Sequence, residues 1–241
     1  MLNITLEKKE LPFAMAEEIK NLRTGISFSG EDLKTILFTS CTPNEGKSTI
    51  ALETVRSFAE LGKKALYLDC DLRKSLFDRR VVNGKAKYGL THYLTGQCKL
   101  EDIIYKNEDE EDDISFYLVP AGPVSNSAAE LLASDKFEST LKTLRKDYDV
   151  IIIDSPPLAS VGDAAIIGAI ADGSVLVIEA GNADYRLVQK VRDKLAASGS
   201  RILGAVLNKV DKADKQYGYY KRGYGYKYGY GYGYNNSQEG K

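Results

Sequence analysis

Residues 36–49, ILFTSCTPNEGKST, constrain the fold more than any other stretch of the chain. Ile36, Leu37 and Phe38 form a short apolar run that reads as a buried strand, after which the chain turns through Pro43, Asn44 and Gly46 into a helical pattern beginning near Lys47. Strand, loop and helix in that order aim backbone N–H groups and a helix N-terminus at one point, which is how proteins surround phosphate. Pro43, Asn44, Glu45, Gly46, Lys47, Ser48 and Thr49 are therefore the phosphate-binding candidates, with Lys47 neutralising charge and Ser48 reaching Mg²⁺. Cys41 stands where the P-loop pattern has its first glycine. Asn44 takes a positive φ at lower cost than most residues, so the turn can survive that change.

The pattern after this loop is a repeating one. Residues 64–71, KALYLDCD, read as a second strand, and Asp69, Asp71 and Arg73 follow at its carboxyl end, where parallel α/β sheets bind their ligands. Residues 150–154, VIIID, are four β-branched residues ending in an aspartate, the form of a strand buried on both faces. Asp154 is the Walker B candidate, a second acid on the Mg²⁺ side beside Asp71. Strands over 114–119, 174–179 and 201–207 alternate with helices over 126–146 and 185–197, which predicts an α/β doubly wound parallel sheet. Asn208, in the N-K-x-D run that ends the last strand, is a candidate for the nucleotide base. The acidic run 108–113, EDEEDD, is expected in a solvated loop.

With 241 residues and 43% hydrophobic content the chain can bury one substantial core. A net charge of −1 gives no global field for nucleic acid or a membrane surface. The N-terminus lacks the apolar region of a signal peptide, and no run approaches the roughly 18 apolar residues that span a bilayer. Cys41, Cys70 and Cys98 have no metal-ligand spacing and fit a reducing compartment. A cytoplasmic protein is expected. Residues 12–28 carry apolar residues at Phe13, Ala16, Ile19, Leu22 and Ile26, one helix stripe, with Glu17, Lys20 and Arg23 on another face. That charged face is either solvated or a subunit contact.

From Lys212 the composition changes, dividing the chain into a domain over 1–211 and a tail over 212–241. Nine of the sixteen tyrosines lie in this tail: Tyr217, Tyr219, Tyr220, Tyr224, Tyr226, Tyr228, Tyr230, Tyr232 and Tyr234. Glycine at nearly every second position cannot support a packed core, so a flexible low-complexity extension is expected. Its net charge is +4. Adhesion or base stacking would suit such a segment, but beside an ATP site it reads as a phosphorylation substrate. Each phosphate adds roughly −1.5 to −2 charges, so three would cancel or reverse the tail's charge.

With P-loop, Asp-x-Asp-x-Arg, Walker B and tyrosine tail together, the chain resembles the bacterial tyrosine kinases of the capsular and exopolysaccharide type over nearly its full length. The motifs are the SxxPxEGKST form of the P-loop, LDCDLR over 68–73, and IIIDSPP ending at Pro157. The resemblance implies ATP and Mg²⁺ as cofactors, Lys47 and Thr49 on phosphates, and Ser48, Asp71 and Asp154 on the metal. It implies a catalytic set of Asp69, Lys47 and Arg73, with Asp69 accepting the proton of the incoming phenol. That proton needs an acceptor because a free phenol has a pKa of about 10. Glu17, Lys20 and Arg23 correspond to the family's oligomerisation motif, with lysine replacing one arginine and its bidentate fork. The resemblance further implies a homo-oligomer, with a ring as one form, and a membrane adaptor of the polysaccharide co-polymerase type whose cytoplasmic tail activates the kinase at the inner membrane face. A cognate tyrosine phosphatase and control of polysaccharide synthesis and export complete the expectation; nucleic acid is not an expected partner.

The rival reading is a Min- or Par-like ATPase acting as a positioning switch. Those proteins carry a signature lysine five residues before the P-loop lysine, and here that residue is Thr42. A GTPase using the N-K-x-D run and a non-enzymatic module built on the tail are the remaining alternatives.

Overall fold

Three strands carry the design: TILFTS, ALYLD and VIIID each have an apolar middle bounded by polar residues only at the ends, and each is buried along its whole length. In the computed structural model, which describes residues 2–8, 10–109 and 114–210, the chain begins with β1 (Leu2–Asn3), β2 (Thr5–Leu6) and α1 (Phe13–Phe28). Then follow β3 (Thr35–Ser40), α2 (Lys47–Ala59), β4 (Ala65–Asp69), β5 (Val81–Asn83), α3 (Leu90–Leu94), β6 (Tyr105–Asp109) and β7 (Ile114–Val119). The last part contains α4 (Ala128–Leu132), α5 (Asp135–Asp147), β8 (Val150–Asp154), α6 (Asp163–Gly168), β9 (Gly173–Glu179), α7 (Tyr185–Ala197) and β10 (Ile202–Asn208).

The main sheet runs β1-β6-β7-β4-β8-β3-β9-β10. From β7 to β10 every neighbouring pair is parallel, as the alternating pattern predicted. Side chains along each strand alternate between two cores. Leu37, Ile151 and Ile153 face α5, α6 and α7 through Leu141, Ile167 and Leu195. Ile36, Phe38 and Ile152 face α1 and α2 through Ile19, Ile26 and Val55. Both faces of the sheet are therefore covered, and its carboxyl edge is left open for a ligand.

Several expectations are corrected. Glu108 and Asp109 lie in β6, which runs antiparallel to β7, so the acidic run begins inside the sheet. Its residues 110–113 lie outside the described residues, as do the tail tyrosines. The apolar stripe of α1 is only partly a core stripe: Ile19 and Ile26 are buried, whereas Phe13 is 81% exposed. The helical stretch expected from residue 126 begins at Ala128, in α4, with no side-chain cap. The cap belongs to α5, where Ser134 accepts a hydrogen bond from the Phe137 amide.

Candidate active site

The phosphate loop joins β3 to α2. Asn44 adopts φ 68° and Gly46 φ 90°, so the positive φ foreseen for asparagine is what turns the chain. Gly46 is required twice over, because a Cβ there would lie 2.2 Å from Asn208 Nδ2. Glu45 closes the loop from within. Its buried carboxylate accepts the Thr42 amide at 2.7 Å, and its carbonyl accepts Asn208 Nδ2 at 2.9 Å. Glu45 and Asn208 thus brace the loop and do not line the cavity, which Pro43, Asn44, Gly46, Lys47, Ser48 and Thr49 do.

That cavity, about 310 Å³, opens at the carboxyl ends of β4, β8 and the phosphate loop. Asp69 and Asp154 are paired in register at the ends of neighbouring strands, so two carboxylates stand side by side. Lys47 is buried, with Nζ 3.2 Å from Asp154 Oδ1 and 3.9 Å from Asp71 Oδ2. It also donates to Ser48 Oγ at 3.1 Å. Burial pushes the Lys47 ammonium down, and the Asp154, Asp71 and Asp69 carboxylates more than reverse that, leaving it raised. Burial, and then the Asp154 charge, push the Asp69 carboxyl up to about 7. Asp69 accepts the Asp71 amide at 3.0 Å and the Ser75 hydroxyl at 2.5 Å.

Arg73 reaches across the mouth to Asp163, the first residue of α6, donating from Nε at 2.7 Å and from Nη2 at 3.0 Å. Asp163 is fully buried, so this bidentate pair fixes the guanidinium in place. Tyr67 donates its hydroxyl to Asp154 Oδ2 at 2.8 Å, and burial and then Asp154 raise that phenol well above its ordinary range. Arg80 adds a further cation to the wall, donating to Thr49 Oγ1 at 3.1 Å. Sequence reasoning missed Tyr67, Ser75, Arg80 and Asp163, none of which belongs to a motif. The one available signal was a tyrosine two residues before the first aspartate. Cys41 and Cys70 are buried thiols, the former pushed up to about 11 by burial and then by Glu45, so neither is a nucleophile here.

Asp154 Oδ1 is buried and accepts no hydrogen bond. With Asp71 and the Ser48 hydroxyl it offers hard oxygen donors of the kind Mg²⁺ takes, and the residues fit that ion. Among the described residues no group of three such side chains forms a metal cage by itself, which suits an ion sharing its coordination with phosphate and water.

Glu17 and Lys20 pair on the exposed side of α1 at 2.8 Å. Arg23 instead turns inward, donating to Ser57 O at 2.8 Å and Ser57 Oγ at 3.0 Å. Among the described residues no helix is long and apolar enough to cross a membrane.

The sheet, the loop and the acid pair define a P-loop nucleotide-binding protein, and the family described as AAA domain matches residues 34–215. The chain is 38% identical over 222 residues to tyrosine-protein kinase CpsD of Streptococcus pneumoniae, covering 91% of this chain and 96% of that protein. It superposes with TM-score 0.75 and 28% identity on the kinase domain of Escherichia coli tyrosine kinase ETK, covering 86% of this chain and 83% of the other. The chimerical protein CapA2B2 gives TM-score 0.75 at 28% identity, over 88% of this chain and 95% of its own. The chain belongs to the bacterial tyrosine kinase family. The septum site-determining protein MinD of Pyrococcus horikoshii, complexed with Mg-ADP, shares the fold at TM-score 0.61 and 26% identity, covering 76% of this chain and 73% of its own.

Proposed function

We propose that the chain is an ATP-dependent protein tyrosine kinase that transfers the γ-phosphate to the tyrosines between Tyr217 and Tyr234. The observation that carries this reading is the group of Asp69, Asp71 and Asp154 gathered around the buried Lys47 at the phosphate loop, in which Asp154 Oδ1 has no partner beyond its ion pair with that lysine. Lys47, Ser48, Thr49 and the amides at the start of α2 hold the phosphates, with Arg80 beside them. Asp71, Asp154 and Ser48 would hold Mg²⁺, which when bound supplies charge neutralisation at the phosphates. Asp69 accepts the phenol proton as the phenol oxygen forms its bond to the γ-phosphorus and the bond to the bridging oxygen breaks, releasing ADP. A carboxyl raised toward neutrality is better matched to that proton than an ordinary one. Arg73, anchored by Asp163, places a fixed positive charge at the mouth.

The α1 face carrying Glu17 and Lys20 is the proposed subunit contact, and a ring is the proposed assembly. CpsD and CapA2B2 support a polysaccharide-linked system in which a membrane adaptor recruits the chain to the inner membrane face. A phosphatase resets the tail in this scheme. The test is intact-mass spectrometry after incubation with Mg²⁺-ATP, with and without an adaptor tail, followed by mapping of residues 212–241. A ladder of phosphates on the tail tyrosines is expected. ATP hydrolysis without any ladder would instead favour a positioning ATPase of the MinD kind.

A further inference from the structure

Both oxygens of Asp69 are engaged. Oδ1 accepts the Asp71 amide, and Oδ2 accepts the Ser75 hydroxyl at 2.5 Å. The first bond is made within the turn that follows β4. The second comes from a side chain six residues on, which nothing in the turn obliges to point there. A phenol that gives its proton to Asp69 must first make a hydrogen bond to one of these oxygens. Oδ1 is held by the backbone of the turn and Oδ2 by a side chain that can rotate, so Oδ2 is the oxygen whose partner can be exchanged.

Ser75 stands where the nucleotide cavity meets a second cavity of about 360 Å³. Asp71, Ser75 and Phe77 are wall residues of both, and Tyr88, His92 and Val124 line the far side of the second. The hydroxyl can therefore leave Asp69 and turn into open space. The same Oγ accepts the Phe77 amide at 3.0 Å, so turning it into the second cavity gives up that bond as well.

We propose that Ser75 is a placeholder: its hydroxyl occupies, in the resting enzyme, the hydrogen-bond position on Asp69 Oδ2 that the acceptor tyrosine takes during transfer. This inference rests on the kinase reading above. Acceptor binding then includes the exchange of one hydroxyl for another on the same carboxylate oxygen. The exchange favours an acceptor delivered at high local concentration, such as a tethered tyrosine, over a free one.

The test compares wild type, Ser75→Ala and Ser75→Thr in the full chain, using Mg²⁺-ATP and a synthetic peptide of residues 223–234 as acceptor. Ser75→Ala frees the position and should lower the peptide's KM by roughly threefold to tenfold, as expected for the loss of a competing charge-assisted hydrogen bond. ATP affinity should not change. Ser75→Thr keeps the hydroxyl and should restore the wild-type KM, an outcome that a role in packing alone would not give. An unchanged or raised peptide KM in Ser75→Ala overturns the placeholder and leaves the kinase reading standing. Phosphate found on Ser75 itself also overturns it, since the hydroxyl would then be an acceptor. If wild type labels neither its own tyrosines nor the peptide, with or without an adaptor tail, the kinase reading fails and takes this inference with it.

Discussion

Two clusters of aspartate and cation sit at opposite ends of the same sheet, and they are built to opposite ends. Near the amino end of β3, Asp172 accepts the amides of Lys34 and Thr35 at 2.9 and 2.8 Å, the Thr35 hydroxyl at 2.8 Å, and the Arg145 guanidinium. Burial pushes that carboxyl up, but the Arg145 bond and then the backbone amides outweigh it, leaving it lowered. At the carboxyl end, Asp71 and Asp154 share one lysine, Asp154 Oδ1 has no partner beyond that ion pair, and Asp69 is raised. A buried charge costs little when every lone pair is met and a great deal when it is not. The first cluster therefore holds the sheet to α5 and needs no ligand. The second is left short of positive charge, a deficit that the Mg²⁺ of the proposed kinase reaction would make up.

The largest test of that contrast is Lys47→Met. Transfer should fall by roughly 10³-fold, the scale seen when one preorganised electrostatic partner is lost from a phosphate or oxyanion site. Because Lys47 is buried among carboxylates, the variant should also melt lower without ligand, a loss that protonation of Asp69 offsets in part. Phosphate incorporation and thermal melting, measured on the same preparation, separate the two effects. Labelling at the wild-type rate would remove Lys47 from the machinery. Asp172→Ala should do the reverse: about 2 kcal/mol of stability lost, with ATP affinity unchanged, since it leaves Arg145 and two amides without their acceptor. Chemical denaturation checks the first part and nucleotide titration the second. A changed ATP affinity would join the two clusters functionally.

The clusters should also respond to pH with opposite sign. The Asp172 pKa is lowered in the folded protein, so its contribution is present above the unfolded value and is lost as pH falls through the folded one. Asp69 is raised from 3.8 to about 7, so between those values the folded state binds more protons and stability falls as pH rises. Unfolding free energies measured from pH 4 to 7 in the absence of nucleotide and metal should lose that downward slope in Asp69→Asn. In Asp172→Asn the acid-side loss should shrink instead. An Asp69→Asn profile parallel to wild type would mean that Asp69 titrates as an ordinary carboxyl.

How far the sequence revealed all this depends on how local each feature is. The strands β3, β4 and β8 were legible because unbroken runs of β-branched and apolar residues end in polar ones, and α7 matched its predicted bounds of Tyr185–Ala197. The strand β6 was not, because Lys106 and Glu108 alternate with Tyr105 and Asn107 in a run that reads as a charged loop. The motif residues Lys47, Asp69, Asp71 and Asp154 converge as their order along the chain implied. Asn208 and Glu45 were candidates for the nucleotide, and what the sequence did not reveal is that their side chains also brace its loop. The partners that set the site's charge balance, Arg80 and Asp163, arrive from segments joined only by tertiary folding, so no spacing rule could bring them forward.

Tyr67 makes the smallest and sharpest test. Its position in a buried strand reads as a core aromatic, yet its hydroxyl holds Asp154 Oδ2 and leaves Oδ1 turned to Lys47 and the cavity. Tyr67→Phe keeps the ring and its packing and removes only that bond. The expected cost is about 1 kcal/mol of stability or less, because one neutral donor to a buried carboxylate is lost and the carboxylate keeps Lys47. The functional effect should exceed the structural one: with Asp154 free to rotate, the Mg²⁺ concentration giving half-maximal transfer should rise severalfold while the peptide KM stays unchanged. If the Mg²⁺ requirement does not move, Tyr67 is a core residue whose hydroxyl merely found a partner. The carboxyl-end cluster would then be oriented by Lys47 alone.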